Sequence, residues 1–192
     1  LAMVDESDAD GDGISGRPNM VWDVLKQSIQ IGRFGWKAEQ PTGAQQAADA
    51  AHNDMGLTNF YFPAEHCEGQ LNCEDGLQSG YDADDETTNL FAFYFQTVAV
   101  PAQRNFEDQD VIKGSILFKE INCTGCHTPK HITGVHDIQA LSNQTIFPYT
   151  DLLLHDMGED LADHRPTFQA NGFEWRTPPL WGLGLSSDSQ GG

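Results

Sequence analysis

The chain has 192 residues, of which 39% are hydrophobic, and carries 29 acidic against 10 basic side chains, for a formal charge of −19. That balance argues against nucleic-acid and anionic-membrane binding, which both draw on Lys and Arg. No apolar run reaches the roughly 18 residues that a membrane-spanning helix needs. The length suffices for one domain with a real core or for two small ones. The charge reads either as solubility in a salty habitat or as a field that steers a basic partner or gathers cations.

Residues 1–17 read as an acidic, Gly-rich loop. The opening LAMVDESDADGDG has neither the basic flank nor the apolar stretch of a signal peptide. The expectation is a chain that starts inside something larger: a mature product, an excised domain or a fragment. Within the loop, Asp8, Asp10 and Asp12 alternate, Gly13 follows, and Ile14 can offer its carbonyl. This matches the first half of an EF-hand-type calcium loop, although the closing position falls on Asn19 rather than on a Glu. Oxygen ligands at this density suit Ca²⁺; the alternative is a flexible acidic terminus.

Residues 19–38 mix apolar and polar side chains and read as strand or irregular. The Ala/Gln-rich stretch 41–56, opened by Pro41 and closed at Gly56, predicts a helix. Residues 60–85 read as a loop holding Cys67 and Cys73. A second helix is expected over 85–101, where Leu90, Tyr94 and Val98 recur at i+4, as do Phe91 and Phe95, and Pro101 stops it. A third, from about Asp108 to Ile121, sets Ile112 over Ile116 and Val111 over Phe118. It leads straight into Cys123-Thr124-Gly125-Cys126-His127, after which periodicity is slight.

A C-x-x-C-H attaches haem covalently: the two thiols add across the vinyl groups, and the histidine lies under the iron as proximal ligand. A thioredoxin-type pair would instead sit at a helix N-terminus after a strand. A zinc site would need further ligands at metal spacing, and Cys67 and Cys73 are loosely spaced. Covalent haem at Cys123 and Cys126, with His127 as axial ligand, is therefore the reading. The two remaining cysteines can close a disulfide across CEGQLNC. Disulfide and haem together point to an extracytoplasmic place, whether periplasm, secretion or cell surface.

For the distal axial position the in-chain candidates are Met157 and His155 in LLLHDMG, the alternative being a ligand from outside this sequence. Trp175 and Trp181 flank RTPPL, a kind of segment that packs on haem in cytochromes. Arg176 is a candidate partner for a propionate. No catalytic residue is assigned.

Several segments then resemble a family. VPAQRNFEDQDVIKGSILFKEINCTGCHTP, IFPYTDLLLHDMGEDLAD and EWRTPPLWGLGL, with DADGDGISGR and GRFGWKAEQPTGAQQAADAAHNDMGLTN upstream, are similar to bacterial di-haem c-type oxidoreductases. These are related to di-haem cytochrome c peroxidases and are described as peroxidases or thiol oxidoreductases. The resemblance runs over essentially the whole chain. It implies a first C-x-x-C-H upstream of residue 1, and a continuation past WGLGL into an HDGRA-like segment and a helix that can supply a distal histidine. The chain thus resembles the middle-to-C-terminal part of such a protein, with one haem site. Trp36 in GRFGWKA is similar to the tryptophan near the haems of related peroxidases, where it relays electrons; core packing is the plainer reading. The resemblance places Met55 near the first haem, while His52 and His66 read as surface or core residues.

The expected fold is mainly α with long irregular loops: an N-terminal loop-rich half over 1–105 and a cytochrome c-like haem domain over 106–192, truncated at its C-terminus. The expected function is a single-haem electron-transfer protein derived from a di-haem oxidoreductase, with one haem c and Ca²⁺ as cofactors. The alternatives are a peroxidase-like enzyme or its fragment, and a calcium-stabilised module in a larger cytochrome assembly. The expected partner is a redox protein with a basic patch.

Overall fold

The computed structural model describes residues 3–67, 69–71, 73, 80–100 and 102–187. Its contacts group into an inserted unit, Met20–Gly35 with Glu39–Val98, and a second unit of Leu1–Asn19, Trp36–Ala38 and Ala99–Gly192 that carries the CTGCH. The second unit draws on both sides of the 105/106 boundary expected from composition.

In the inserted unit, β1 (Met20–Asp23) and β2 (Ser28–Ile31) form an antiparallel hairpin with Val21 opposite Gln30. Asp23 Oδ1 holds the turn by accepting from the Leu25 and Lys26 amides. Helix α1 (Gly43–Met55) starts where Thr42 Oγ1 accepts from the Gln45 amide at 3.1 Å, satisfying a donor the helix cannot satisfy itself. It ends at Gly56, whose φ of 72° favours a residue without Cβ. Helix α2 (Asp85–Thr97) is capped by Asp84, and the Thr87 amide that donates to this carboxylate holds it below the usual carboxylate range. The two helices meet closely at Gly43, where a Cβ would stand 3.0 Å from the Phe95 ring. Asn59, fully buried, donates to the Ala48 carbonyl of α1 and accepts from the Tyr61 and Phe62 amides, fastening the following loop to that helix. Beyond it Cys67 and Cys73 form a disulfide.

In the CTGCH unit, α3 (Gln109–Glu120) begins at Asp108, whose carboxylate accepts from the Asp110 amide. Two small antiparallel sheets follow: β3 (His131–Ile132) with β4 (Thr145–Ile146), and β5 (Leu154–Asp156) with β6 (Glu174–Arg176). The acidic loop joins β5 through a reciprocal pair of hydrogen bonds between Arg17 and Leu154. Leu154, Ala38 and Ala170 form the buried apolar centre. Two long-range ion pairs frame it. Arg17 grips Glu174 through Nε and Nη2 at 2.7 and 2.6 Å. Lys37, only 4% exposed, donates to Asp163 Oδ1, the Arg165 carbonyl and the Asn171 carbonyl, and lies 4.6 Å from the Trp175 ring centroid. A buried ammonium is tolerable only with such partners.

The mainly α expectation, with its cytochrome c-like domain, is corrected here. Among the described residues there are three α-helices and three two-stranded antiparallel sheets, joined by long irregular segments. The helices lie where periodicity put them. Hairpin β1–β2 falls in the 19–38 stretch that reads as strand or irregular, whereas the two later sheets went unseen because strands of two or three residues are too short to show alternation. Pro101, the expected stop of α2, and parts of the expected 60–85 loop lie outside the described residues. No helix among those described is long and apolar enough to cross a membrane.

Candidate functional site

Helix α3 ends at Ile121, and Asn122 turns the chain through a left-handed φ of 63° into a 3-10 turn, Cys123–Gly125. The His127 amide donates to the Cys123 carbonyl at 2.9 Å, so the pentapeptide closes on itself. The neighbouring segment fixes it from outside. The Asp151 amide donates to the Cys126 carbonyl, the Thr150 amide donates to the Thr128 carbonyl, and His127 Nδ1 lies 2.8 Å from the Tyr149 carbonyl. A carbonyl only accepts, so Nδ1 carries the proton and Nε2 keeps its lone pair. That is the tautomer a metal-ligating imidazole needs, with a second partner orienting the ring. Cys123 and Cys126 are free thiols of intermediate exposure.

The acidic loop lies against this turn. A Cβ on Gly125 would collide with Ile14 Cδ1. Thr128 Oγ1 donates to Met3 Sδ at 3.2 Å, and the Ser15 carbonyl accepts from His155 Nδ1 at 2.8 Å. His155 Nδ1 is also 3.7 Å from Cys126 Sγ, while its Nε2 donates to Asp151 Oδ2 at 2.8 Å. Burial opposes protonation of this imidazole, but Asp151 and Cys126 outweigh it and push the pKa up to about 10. Both ring nitrogens of His155 are therefore engaged by the protein.

Beside the turn is a cavity of about 850 Å³. Helix α3 lines it with Val111, Gly114, Ser115 and Phe118, which at spacings of three and four share one face. Ile146, Phe147, Tyr149, Leu180, Trp181 and Leu183 line it from elsewhere, and Arg104 is also on its wall. The Phe118 ring packs 6.1 Å from the His127 ring and edge-on to Tyr149 at 5.8 Å, centroid to centroid.

A family model described as "Di-haem oxidoreductase, putative peroxidase" matches residues 1–190. The chain belongs to the di-haem oxidoreductase family. No curated protein and no solved structure matches it.

Membership of the di-haem oxidoreductases implies haem as cofactor, and the site fits that group. Helix α3 buries none of its residues, and Val111 and Phe118 on its cavity face keep part of their apolar surface exposed. Such a surface without full protein cover is what a macrocycle would fill. A volume of about 850 Å³ lies in the range of roughly 300–1,000 Å³ typical of cofactor pockets.

Of the expected site residues, the structure brings Cys123, Cys126, His127 and His155 together, and puts Trp181 on the cavity wall. Ile14 touches the turn with its side chain. Arg176 lies in β6, where its Nη1 donates to the Thr177 carbonyl, and it does not line the cavity. Trp36 is 76% exposed, its carbonyl accepting from the Arg176 amide. Met157 is half exposed, and neither it nor His155, Cys123, Cys126 or His127 is among the residues lining the cavity, which meets the turn through Phe118 and Tyr149. In the acidic loop, Asp5, Asp8 and Asp10 bring carboxylate oxygens within 4.8 Å of one another. Asp12 instead accepts from the Ile14 amide, and Asn19 spends its side chain on the backbone at Lys37, Thr167 and Gln169.

Sequence reasoning missed Tyr149, Asp151, Arg104 and Asp5. Asp151 stands four residues before His155, and Asp5 belongs to the same acidic run, so each carried a weak signal. Nothing in the sequence marked the Tyr149 carbonyl.

Proposed function

We propose that this chain is an electron-transfer module holding one covalent c-type haem through Cys123, Cys126 and His127, with an extracytoplasmic place of work. The observation that carries the reading is the 2.8 Å contact from His127 Nδ1 to the Tyr149 carbonyl, which leaves Nε2 for iron. The bound group would supply an iron centre that cycles between Fe(II) and Fe(III). The protein's part is to orient the imidazole, tether the group by two thioethers and cover its apolar faces. One C-x-x-C-H in this sequence supports one iron, which stores one electron, whereas reducing peroxide takes two.

The charge of −19 supports a redox partner with a basic patch, or a place in a larger cytochrome assembly. The Cys67–Cys73 disulfide supports an oxidising compartment. Calcium in the acidic loop belongs to the same proposal, supported by the three gathered carboxylates.

The test is spectroscopic and kinetic. Acid-acetone should leave the colour on the polypeptide, and Cys126→Ala should reduce attachment to a single thioether. The reduced protein should pass its electron quickly to an outer-sphere acceptor, and hydrogen peroxide turnover should not exceed that of a haem peptide. The family description favours a second reading, peroxide reduction. Saturable, efficient turnover by this chain would make that reading the correct one.

A further inference from the structure

We propose that Arg104, rather than Arg176, anchors the carboxylate edge of the haem; this rests on the covalent-haem reading above. The wall of the cavity beside the CTGCH is mostly apolar, and among its described lining residues Arg104 is the single charged one. The chain carries 29 carboxylate side chains, yet none is among those lining residues. Arg104 makes no ion pair among the described residues, where its one hydrogen bond runs from Nη2 to the Gly184 carbonyl at 2.9 Å. A guanidinium offers five donors in a planar fork that matches a carboxylate. In so acidic a chain, a cation at an apolar cavity without a protein carboxylate is suited to an anion that arrives with the ligand.

Haem has that composition: an apolar macrocycle with two propionates on one edge. The apolar wall suits the first part and Arg104 the second. Gly184 makes room for the arrangement, because a Cβ there would collide with Arg104 Nη2. Arg176 faces other work, with its Nη1 on the Thr177 carbonyl and its amide on the Trp36 carbonyl.

The experiment uses the full chain with haem attached and measures midpoint potential against pH for the wild type, Arg104→Gln, Arg104→Lys, Gly184→Ala and Arg176→Gln. Among the described lining residues Tyr149 is the other titratable group. A propionate held by Arg104 stays ionised from about pH 5 to 8, so the wild-type potential should vary little there. Arg104→Gln should add a pH-dependent step and shift the Fe(II)/Fe(III) ratio several-fold toward Fe(III). Arg104→Lys should restore part of the profile, and Gly184→Ala, which displaces the guanidinium, should resemble Arg104→Gln. Haem content should be unchanged throughout, because the thioethers carry attachment. A wild-type profile in Arg104→Gln overturns the proposal, whether or not Arg176→Gln acquires the step. Loss of haem from the denatured wild type would show before any variant is compared, and would overturn the covalent-haem reading itself.

Discussion

Oδ2 of Asp151 lies 2.8 Å from Nε2 of His155, and both residues are buried against the turn that carries Cys126. The other ring nitrogen faces the Ser15 carbonyl, so the imidazole donates on both sides and is held as a cation. Burial acts against that charge, and Asp151, joined by Cys126 while its thiol is free, raises the pKa to about 10 from an ordinary 6.5. A folded-state pKa above the unfolded one stabilises fully below pH 6.5, and the contribution is lost as pH rises through about 10. Melts between pH 6 and 11 should show that fall in the wild type, and His155→Gln should lack this component. Asp151→Asn should cost roughly 3–5 kcal/mol near neutrality, because it strands a buried cation.

Gly125 is expected to reject a methyl group. Its Cβ would run into Ile14 Cδ1, the far end of a side chain, so the clash is relieved by trimming Ile14. Gly125→Ala should lower stability by about 1–3 kcal/mol. Adding Ile14→Ala should recover part of that loss, which a double-mutant cycle would record as coupling. Additive losses would show that the acidic loop does not rest on the turn in solution.

The Cys67–Cys73 bridge closes a short loop in the inserted unit. Removing it with Cys67→Ser and Cys73→Ser should cost about 2 kcal/mol by the loop-closure relation. Intact mass under non-reducing conditions should be two hydrogens below the dithiol value.

The gathering of Asp5, Asp8 and Asp10 predicts a cation-sensitive loop. A chelator should lower the melting temperature, and Asp10→Ala or Asp5→Ala should abolish the difference. Asp12→Ala should act more weakly, since its carboxylate is outside the gathered set. An unchanged melt with chelator would leave only a solvated acidic segment.

The parts legible in the sequence were those with a local signature. The i+4 rows of α2 and α3 located both helices, Pro41 and Gly56 bracketed α1, and the CTGCH follows a helix end. The sheet of β5 and β6 escaped notice because β5 finds its partner beyond an intervening loop, and a three-residue strand has no period to read. The same limit hid the Tyr149 carbonyl, since a backbone acceptor has no residue-type signal. Arg176 was named for its place beside RTPPL, whereas Arg104 lies in an aperiodic stretch before α3. The EF-hand spacing pointed to Asp8, Asp10 and Asp12, and the fold of the loop gathers Asp5 with Asp8 and Asp10, a proximity that spacing does not encode.

Arg17 and Glu174, gripped by two hydrogen bonds, stand 157 residues apart in the chain. The same unit takes Trp36–Ala38 from the middle of the first half, and the inserted unit occupies about half of what intervenes. Closing so long a loop costs about 4–5 kcal/mol of chain entropy before any contact offsets it. The inserted unit is complete once Val98 has been made. Residues 1–19, by contrast, have nowhere to settle until β5 and β6 exist. They are made before the inserted unit and find their place after it.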